Sequence, residues 1–285
     1  MNLLHVGTLS PHVHRAMRMF TRYGPREWRQ EHVQVGEQPL ARPDLVLVHA
    51  VNQFHEAARS WGTNGVPTVG WMWNTDWTTA RDAARTMTGM AACELLLGDE
   101  EARWAVGDLA GRYVGHRPLV DAEVFRPDPL MVRTGVFVAR GWQGHPLYWA
   151  EEARQALEGL PGVLAASGYF SPRGMAVAYR RARAVVALRE DCGPSYTVVE
   201  AVLCGAVPVV SMCPQIHKHF EDGGAALCDR HPQSIRRAVE GVLGMTDEQY
   251  AALVARNQEH FGGWTEQAQG PGLVERVLEV ARVRA

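Results

Sequence analysis

Of the 29 basic residues in this 285-residue chain only one, Lys218, is lysine. Arginine supplies the rest, so an arginine at any single position says little about phosphate recognition. Net charge is -2 with histidine neutral, which excludes the strongly basic balance of a general polyanion binder. The five cysteines, at 93, 192, 204, 213 and 228, are odd in number, scattered and without CxxC spacing. That excludes a disulfide framework and a zinc ribbon, and it points to reduced thiols in a cytoplasmic protein. No apolar run approaches the ~20 residues that span a bilayer. The opening MNLLHVGTLSPHVHR has no positive segment ahead of its short apolar stretch, so no secretory signal is expected. P-loop, Ser-His-Asp and Cys-His patterns are missing as well.

What is present is ordinary for a folded protein: 46% hydrophobic and 21% charged residues, enough apolar side chains for two cores. Short apolar runs alternate with helix-like segments. NLLHVG (2–7), EHVQVG, DLVLVHA (44–50), VPTVGWMW (66–73) and CELLLG read as strands. PHVHRAMRMFTRY, FHEAARSW, RDAARTMTGMAA and EEARWAVGDLA read as helices, and RYVGHRPL as extended. The pattern then restarts. RTGVFVARG (133–141), GVLAASGY, RAVVALRE (183–190) and AVPVVS are strands, separated by helices in LYWAEEARQALEGL, MAVAYRRA and SYTVVEAVLCG. Such alternation predicts an α/β protein with two Rossmann-like domains, their parallel sheets covered on both faces and facing across a cleft. The two prolines of DAEVFRPDPLMVR mark the linker. The expected division is an N-terminal domain over 1–124, a C-terminal domain over 125–262, and a terminal helix over 263–285 that returns toward the first domain. Ligands of open parallel sheets sit beyond the carboxyl ends of the strands.

Residues 198–210, VVEAVLCGAVPVV, set Glu200 in an apolar run. An ionised carboxylate taken out of water is costly unless paired. Glu200 therefore has either a structural partner, such as an arginine, or a ligand. The segment before it, REDCGPS (189–195), follows a strand that ends at Glu190. Gly193 permits close backbone approach, and Pro194 and Ser195 suit a helix start with Ser195 as cap. Gly205 supplies the helix stop. The amides and positive end of such a helix suit a diphosphate. Glu200 falls one turn beyond Tyr196 and Thr197, placed to accept hydrogen bonds from two ribose hydroxyls.

EAVLCGAVPVVS resembles the EAMACGxPVVAS segment of GT-B glycosyltransferases, especially the retaining family 4 (group 1) enzymes. LVDAEVFRPDP (119–129) resembles their interdomain GVDxxxFxP segment, and GVFVARG (135–141) the strand and arginine that open their second domain. GGW (262–264), ahead of a terminal helix, resembles their late aromatic-tryptophan motif. The resemblance covers about half the chain, mainly 115–285. It implies transfer of a sugar from a nucleotide-diphosphate donor, a UDP- or GDP-sugar, to an acceptor hydroxyl with retention. It implies no tightly bound cofactor, with magnesium an aid to the diphosphate and not a requirement. Glu200 would hold the ribose. The segment Gly193–Thr197, with Pro194 and Ser195 in it, would offer backbone amides to the diphosphate and the sugar, and Tyr196 would line the donor site. Arg140 would neutralise the leaving diphosphate, and Glu190, beside Asp191, is the acid candidate for the sugar. In the first domain Gly7 and Thr8 would let the donor approach the end of the first strand. Two family positions differ here: the earlier of two glutamates falls at Cys192, and the lysine after the arginine at Leu147. A first-domain strand that often ends in His-Asp has Trp73 and Asn74 at those places, which makes Trp73 and nearby Asp76 candidates for the acceptor side.

His12 and His14 follow the first strand. Some inverting GT-B enzymes place a general base in that loop; the competing reading of His12 is a solvated or capping residue. Arg15, Arg18 and Arg22, at spacings of three and four, share one helix face. That face is either solvated or grips an anionic acceptor, a nucleic acid or a phospholipid surface. Three rival functions stand beside the transferase: a DNA-modifying enzyme that glycosylates a hydroxylated base, to which the arginine face points; a non-catalytic nucleotide-sugar binding protein, to which the differing family positions point; and a GT-B epimerase acting on free nucleotide sugar.

Overall fold

The computed structural model describes the chain apart from residues 52–53, 73–79, 140–148, 167–169, 189–194, 213–215, 217, 221–223 and 284–285. It also leaves aside the side chains of 11–12, 80–85, 99, 101–102 and 104–105. Contacts divide the chain into two compact units. One is Met1–Arg117 together with the residues from Glu266 onward, and the other is Pro118–Thr265.

In the N-terminal unit the apolar runs become six strands: Asn2–Val6 (β1), Arg29–Val33 (β2), Leu45–His49 (β3), Thr68–Trp71 (β4), Leu95–Asp99 (β5) and Tyr113–His116 (β6). They form one parallel sheet in the order β2-β1-β3-β4-β5-β6. The LVLVH of β3 is buried throughout, as expected of a central strand covered on both faces. Helices Pro11–Tyr23 (α1), His55–Thr63 (α2) and Ala80–Ala91 (α3) connect the strands. The ends of α1 are written in its sequence. The Ser10 hydroxyl accepts from the Val13 amide, Pro11 opens the helix, and the Gly24 amide closes it on the Phe20 carbonyl. Two expectations shift. β2 starts at Arg29 and stops at Val33, because Gln34–Glu37 turns, with the Glu37 amide on the Gln34 carbonyl. EEARWAVGDLA is a 3-10 stretch, Glu100–Arg112, broken at Gly107 where the backbone turns left-handed.

The C-terminal unit has strands Val136–Val138 (β7), Val163–Ala165 (β8), Ala184–Val186 (β9), Val207–Ser211 (β10) and Ala226–Cys228 (β11), parallel in the order β11-β10-β9-β7-β8. Alternate residues face opposite cores. Val136, Val138, Val186, Val207 and Val209 lie on one side, with Phe137, Val185 and Val210 on the other. Pro208 stands inside central β10 at no cost to the ladder. The Val207 amide bonds to the Arg183 carbonyl on the β9 side, so the Pro208 nitrogen faces β11, whose pairing begins only at Val209. The helices are Ala150–Leu157 (α4), Pro172–Arg181 (α5), Tyr196–Leu203 (α6), Pro232–Leu243 (α7) and Asp247–Phe261 (α8). The last helix, Glu266–Val283 (α9), lies against α1 in the N-terminal unit. No described helix is long and apolar enough to cross a membrane.

Among the described residues Cys93, Cys204 and Cys228 are free and buried, and burial pushes each thiol up to about 12. These three are expected to resist iodoacetamide at pH 8 in the folded protein and to react once it is unfolded. Peptide mapping of the labelled chain checks this, and rapid native labelling of any of the three would contradict it.

Candidate functional site

The residues leading into α6 are fixed by burial: Ala187 and Leu188 continue the β9 line inward, and Val198–Leu203 are all buried. Ser195 holds the N-cap position with extended backbone, φ -73° and ψ 166°, but its hydroxyl caps nothing. Its carbonyl instead accepts from Val198 N at 3.0 Å and Val199 N at 3.1 Å, so the amide a serine cap would serve is already satisfied. The amides of Tyr196 and Thr197 precede the first intrahelical bond and lie at the positive helix end. At the other end Gly205 N bonds to Val202 O at 2.8 Å and Ala206 N to Ala201 O at 2.9 Å, a Schellman closure on the expected glycine. Arg133 donates to the carbonyls of Cys204 and Tyr179, which sets a cation at the negative end of α6.

Glu200 is 4% exposed on this helix. The Tyr179 hydroxyl, from α5, donates to its Oε2 at 3.4 Å. Tyr179 is itself fully buried, and its ring meets those of Phe125 and Phe137 at 6.3 and 5.7 Å. Nothing in the spacing of MAVAYRRA marks this tyrosine as a partner of Glu200; only the packing of α5 beside α6 does. Trp264 of the GGW segment is 3% exposed, packed on Phe261 with His219 and His260 alongside. It is a core residue here.

In the N-terminal unit Gly7 ends β1. A Cβ there would lie 3.2 Å from His49 Cβ and 3.4 Å from Phe54 Cε2, so the glycine serves close packing inside the unit. Its carbonyl accepts from His32 Nε2 at 2.7 Å. Thr8 is exposed. His12 lies in the first turn of α1, and its side chain falls outside the described residues. The arginine face of α1 is neither simply solvated nor turned to a polyanion. Arg18 donates to both oxygens of Glu266, with Nε to Oε2 at 3.3 Å, and Arg22 lies 4.0 Å from Oε2. Glu266, at the start of α9, is 1% exposed, and Arg15 is half-buried on the same helix. The nucleic-acid and lipid readings relied on these side chains, and two of the three are spent on an internal carboxylate. Glu266→Ala is expected to cost about 1–3 kcal/mol, less than a fully buried pair because both guanidiniums can rehydrate. Urea unfolding measures it, and unchanged stability would refute the anchor.

A row of polar rings crosses the same sheet. His5 Nδ1 and His49 Nε2 are 2.9 Å apart, and Trp71 Nε1 donates to His116 Nε2 at 2.8 Å while His116 Nδ1 donates to the Arg117 carbonyl at 2.9 Å. All four rings are buried. Arg140, Glu190, Gly193, Pro194, Trp73 and Asp76 lie outside the described residues. Among the described residues no group of three His, Cys, Asp or Glu side chains is placed to hold a metal ion.

No protein-family model matches the chain, and no curated protein matches it in sequence. Solved structures do match it. Anabaena Alr3699/HepE, crystallised in complex with UDP and glucose, superposes with a TM-score of 0.77 over 98% of this chain and 99% of that one, at 11% identity. The chain has the GT-B fold. Sucrose-phosphate synthase (tll1590) from Thermosynechococcus elongatus gives 0.69 over 99% and 100% of the two chains at 9% identity. The α,α-trehalose 6-phosphate synthase from Burkholderia multivorans gives 0.62 over 86% and 74% at 14% identity. A GT-B backbone survives such divergence because strands buried on both faces constrain apolar pattern and volume, not identity.

Proposed function

We propose that this GT-B chain is a glycosyltransferase that moves a sugar from a nucleotide-diphosphate donor, a UDP-sugar, to an acceptor hydroxyl with retention. One observation carries the reading: a carboxylate 4% exposed at Glu200, on the helix after β9, the third strand of the C-terminal unit, in a fold whose solved examples include one with UDP and glucose. The Tyr179 hydroxyl supports that buried carboxylate inside the protein, and the two hydroxyls of a ribose would add charge-assisted hydrogen bonds to it. In this reading residues 125–262 take the donor and residues 1–124 the acceptor. The amides from Gly193 through Thr197 receive the diphosphate, Arg140 neutralises it as it leaves, and Glu190 contacts the transferred sugar. Transfer breaks the bond from the anomeric carbon to the β-phosphate oxygen and forms one from that carbon to the acceptor oxygen. The acceptor proton passes to the departing phosphate on the same face, so no protein nucleophile is needed. A trehalose-6-phosphate synthase studied for transfer with retention is among the matching structures and supports this stereochemistry. His12 would act as base only on an inverting route.

Thermal shift with UDP, GDP, ADP and TDP tests the donor. UDP is expected to stabilise the wild type, and Glu200→Gln, which keeps the shape, is expected to weaken it at least ~10-fold through loss of charge-assisted bonds. Stabilisation by no nucleotide, or by UDP equally in both proteins, would overturn the reading. With donor turnover in hand, the anomeric configuration of the product by NMR decides retention.

A further inference from the structure

On helix α5 Arg173, Val177 and Arg180 are spaced i, i+4, i+7 and share a face, with the buried Ala176 at its inner edge. Opposite them runs the segment 123–129, and the two enclose an open groove of about 730 Å³. We propose that this groove binds a phosphorylated sugar or polyol, at a site distinct from the nucleotide site of α6.

Its chemistry is mixed in a particular way. Arg126, Arg173 and Arg180 line it together with the carboxylates of Glu123 and Asp128. Arg180 is held in place: its Nε donates to the Arg126 carbonyl at 2.7 Å and its second nitrogen to the Val124 carbonyl at 2.6 Å. Those partners are neutral, so the orientation is fixed while, among the described residues, no carboxylate pairs with the charge. Among the described residues Arg126 and Arg173 form no ion pair with a carboxylate. Three guanidiniums line one groove, those of Arg126 and Arg173 with all their N–H groups uncommitted among the described residues, and arginine takes a phosphate through paired N–H groups. The two carboxylates set the rest of the ligand. They repel a long polyanion, and they accept hydrogen bonds from hydroxyls. Asp128 Oδ1 already takes the Leu130 amide at 3.0 Å, which holds the carboxylate in position. Pro127 and Pro129 stiffen one wall, and the exposed Val177 gives the floor an apolar spot against which the carbon face of a sugar can rest. The volume lies within the range of small-molecule sites.

Titration calorimetry on the full chain tests the site with glucose 6-phosphate, inorganic phosphate and glucose as probes, at ionic strength matched with sodium chloride. Glucose 6-phosphate is expected to bind, glucose not, and inorganic phosphate at least tenfold more weakly. The double variant R126Q/R173Q changes two exposed side chains that make no hydrogen bond or ion pair among the described residues, and it is expected to weaken glucose 6-phosphate at least tenfold with an unchanged Tm. Glu200→Gln is expected to leave that binding alone, which separates it from failure of the nucleotide reading. Absence of binding above the chloride control, or binding untouched by R126Q/R173Q, would overturn the site. Equal affinity for inorganic phosphate would overturn the role given to the two carboxylates.

Discussion

Lowering the pH from 6.5 to 4 is expected to strip about 5 kcal/mol of stability from the N-terminal unit, about 2.5 from each of two histidines. Burial pushes His5 and His116 down to about 4 from the ordinary 6.5. Neither has a partner that rewards protonation enough to offset its desolvation. His116 accepts from Trp71 Nε1 and would have to break that bond to gain a proton. For His5 the Gln30 amide is best oriented with its nitrogen toward His5 Nε2 at 2.8 Å and its oxygen toward Thr21, so that it too donates to a neutral ring. In the unfolded chain both rings take a proton below 6.5, and in the folded chain only below about 4. Between those limits the unfolded state holds more protons, so acid favours it. Below about 4 both states are protonated and these two rings exact nothing further. The carboxylates act in a different window. Glu151 is held down to about 2 by Arg154 and Gln155, so its influence begins only below 4.5. Urea unfolding at half-unit steps from pH 7 to 4 measures the slope. His116→Gln, which keeps an acceptor for Trp71, should flatten it by about half. A wild type equally stable at pH 7 and 4.5, or a variant with the full slope, would show that the rings do not act this way. A loss of this size is a large part of the ~5–15 kcal/mol that holds a domain folded.

That row of rings also shows where sequence reading stops. His5, His49, Trp71 and His116 are spread over more than a hundred positions, and only the strand order β2-β1-β3-β4-β5-β6 lines them up. Each alone reads as an ordinary strand residue. Elements whose cause is local were legible: α1 ends where Ser10, Pro11 and Gly24 say it should, and α6 where Gly205 does. The two parallel sheets were legible too, from the alternating apolar runs, and the GT-B assignment came from the resemblance of EAVLCGAVPVVS, LVDAEVFRPDP, GVFVARG and GGW to known GT-B enzymes. The partners of charged groups were not. Tyr179 meets Glu200 across 21 positions and Glu266 meets Arg18 across 248, distances at which no periodicity operates. Gly107 was hidden for another reason. The apolar positions around it fit a helix, and one left-handed residue overrides them.

Gly135→Ala is expected to destabilise the C-terminal unit by about 2–5 kcal/mol, far more than the same change at Gly159. Both glycines have φ of 76°, so alanine at either pays the left-handed penalty of roughly 1–2 kcal/mol. Around Gly159 there is nothing within 4 Å for a methyl group to meet. At Gly135 the methyl group would be driven into the Gly162 carbonyl oxygen, 3.1 Å from its carbon and 3.3 Å from its Cα. That neighbour is backbone and cannot swing aside. It is also committed, since the Gly162 carbonyl accepts the Val136 amide at 3.1 Å and so starts the pairing of β7 with β8. On the other side the Gly135 carbonyl takes the amides of Arg183 and Ala184, which start β9. One residue therefore registers three of the five strands at the end where they enter the sheet, and displacing it loosens all three. Urea unfolding of both variants separates the terms: Gly159→Ala reads the backbone strain alone, and the excess in Gly135→Ala reads the steric conflict. Equal losses would mean that the β7–β8 entry yields to a methyl group, and that the register of this sheet is set instead by its apolar faces.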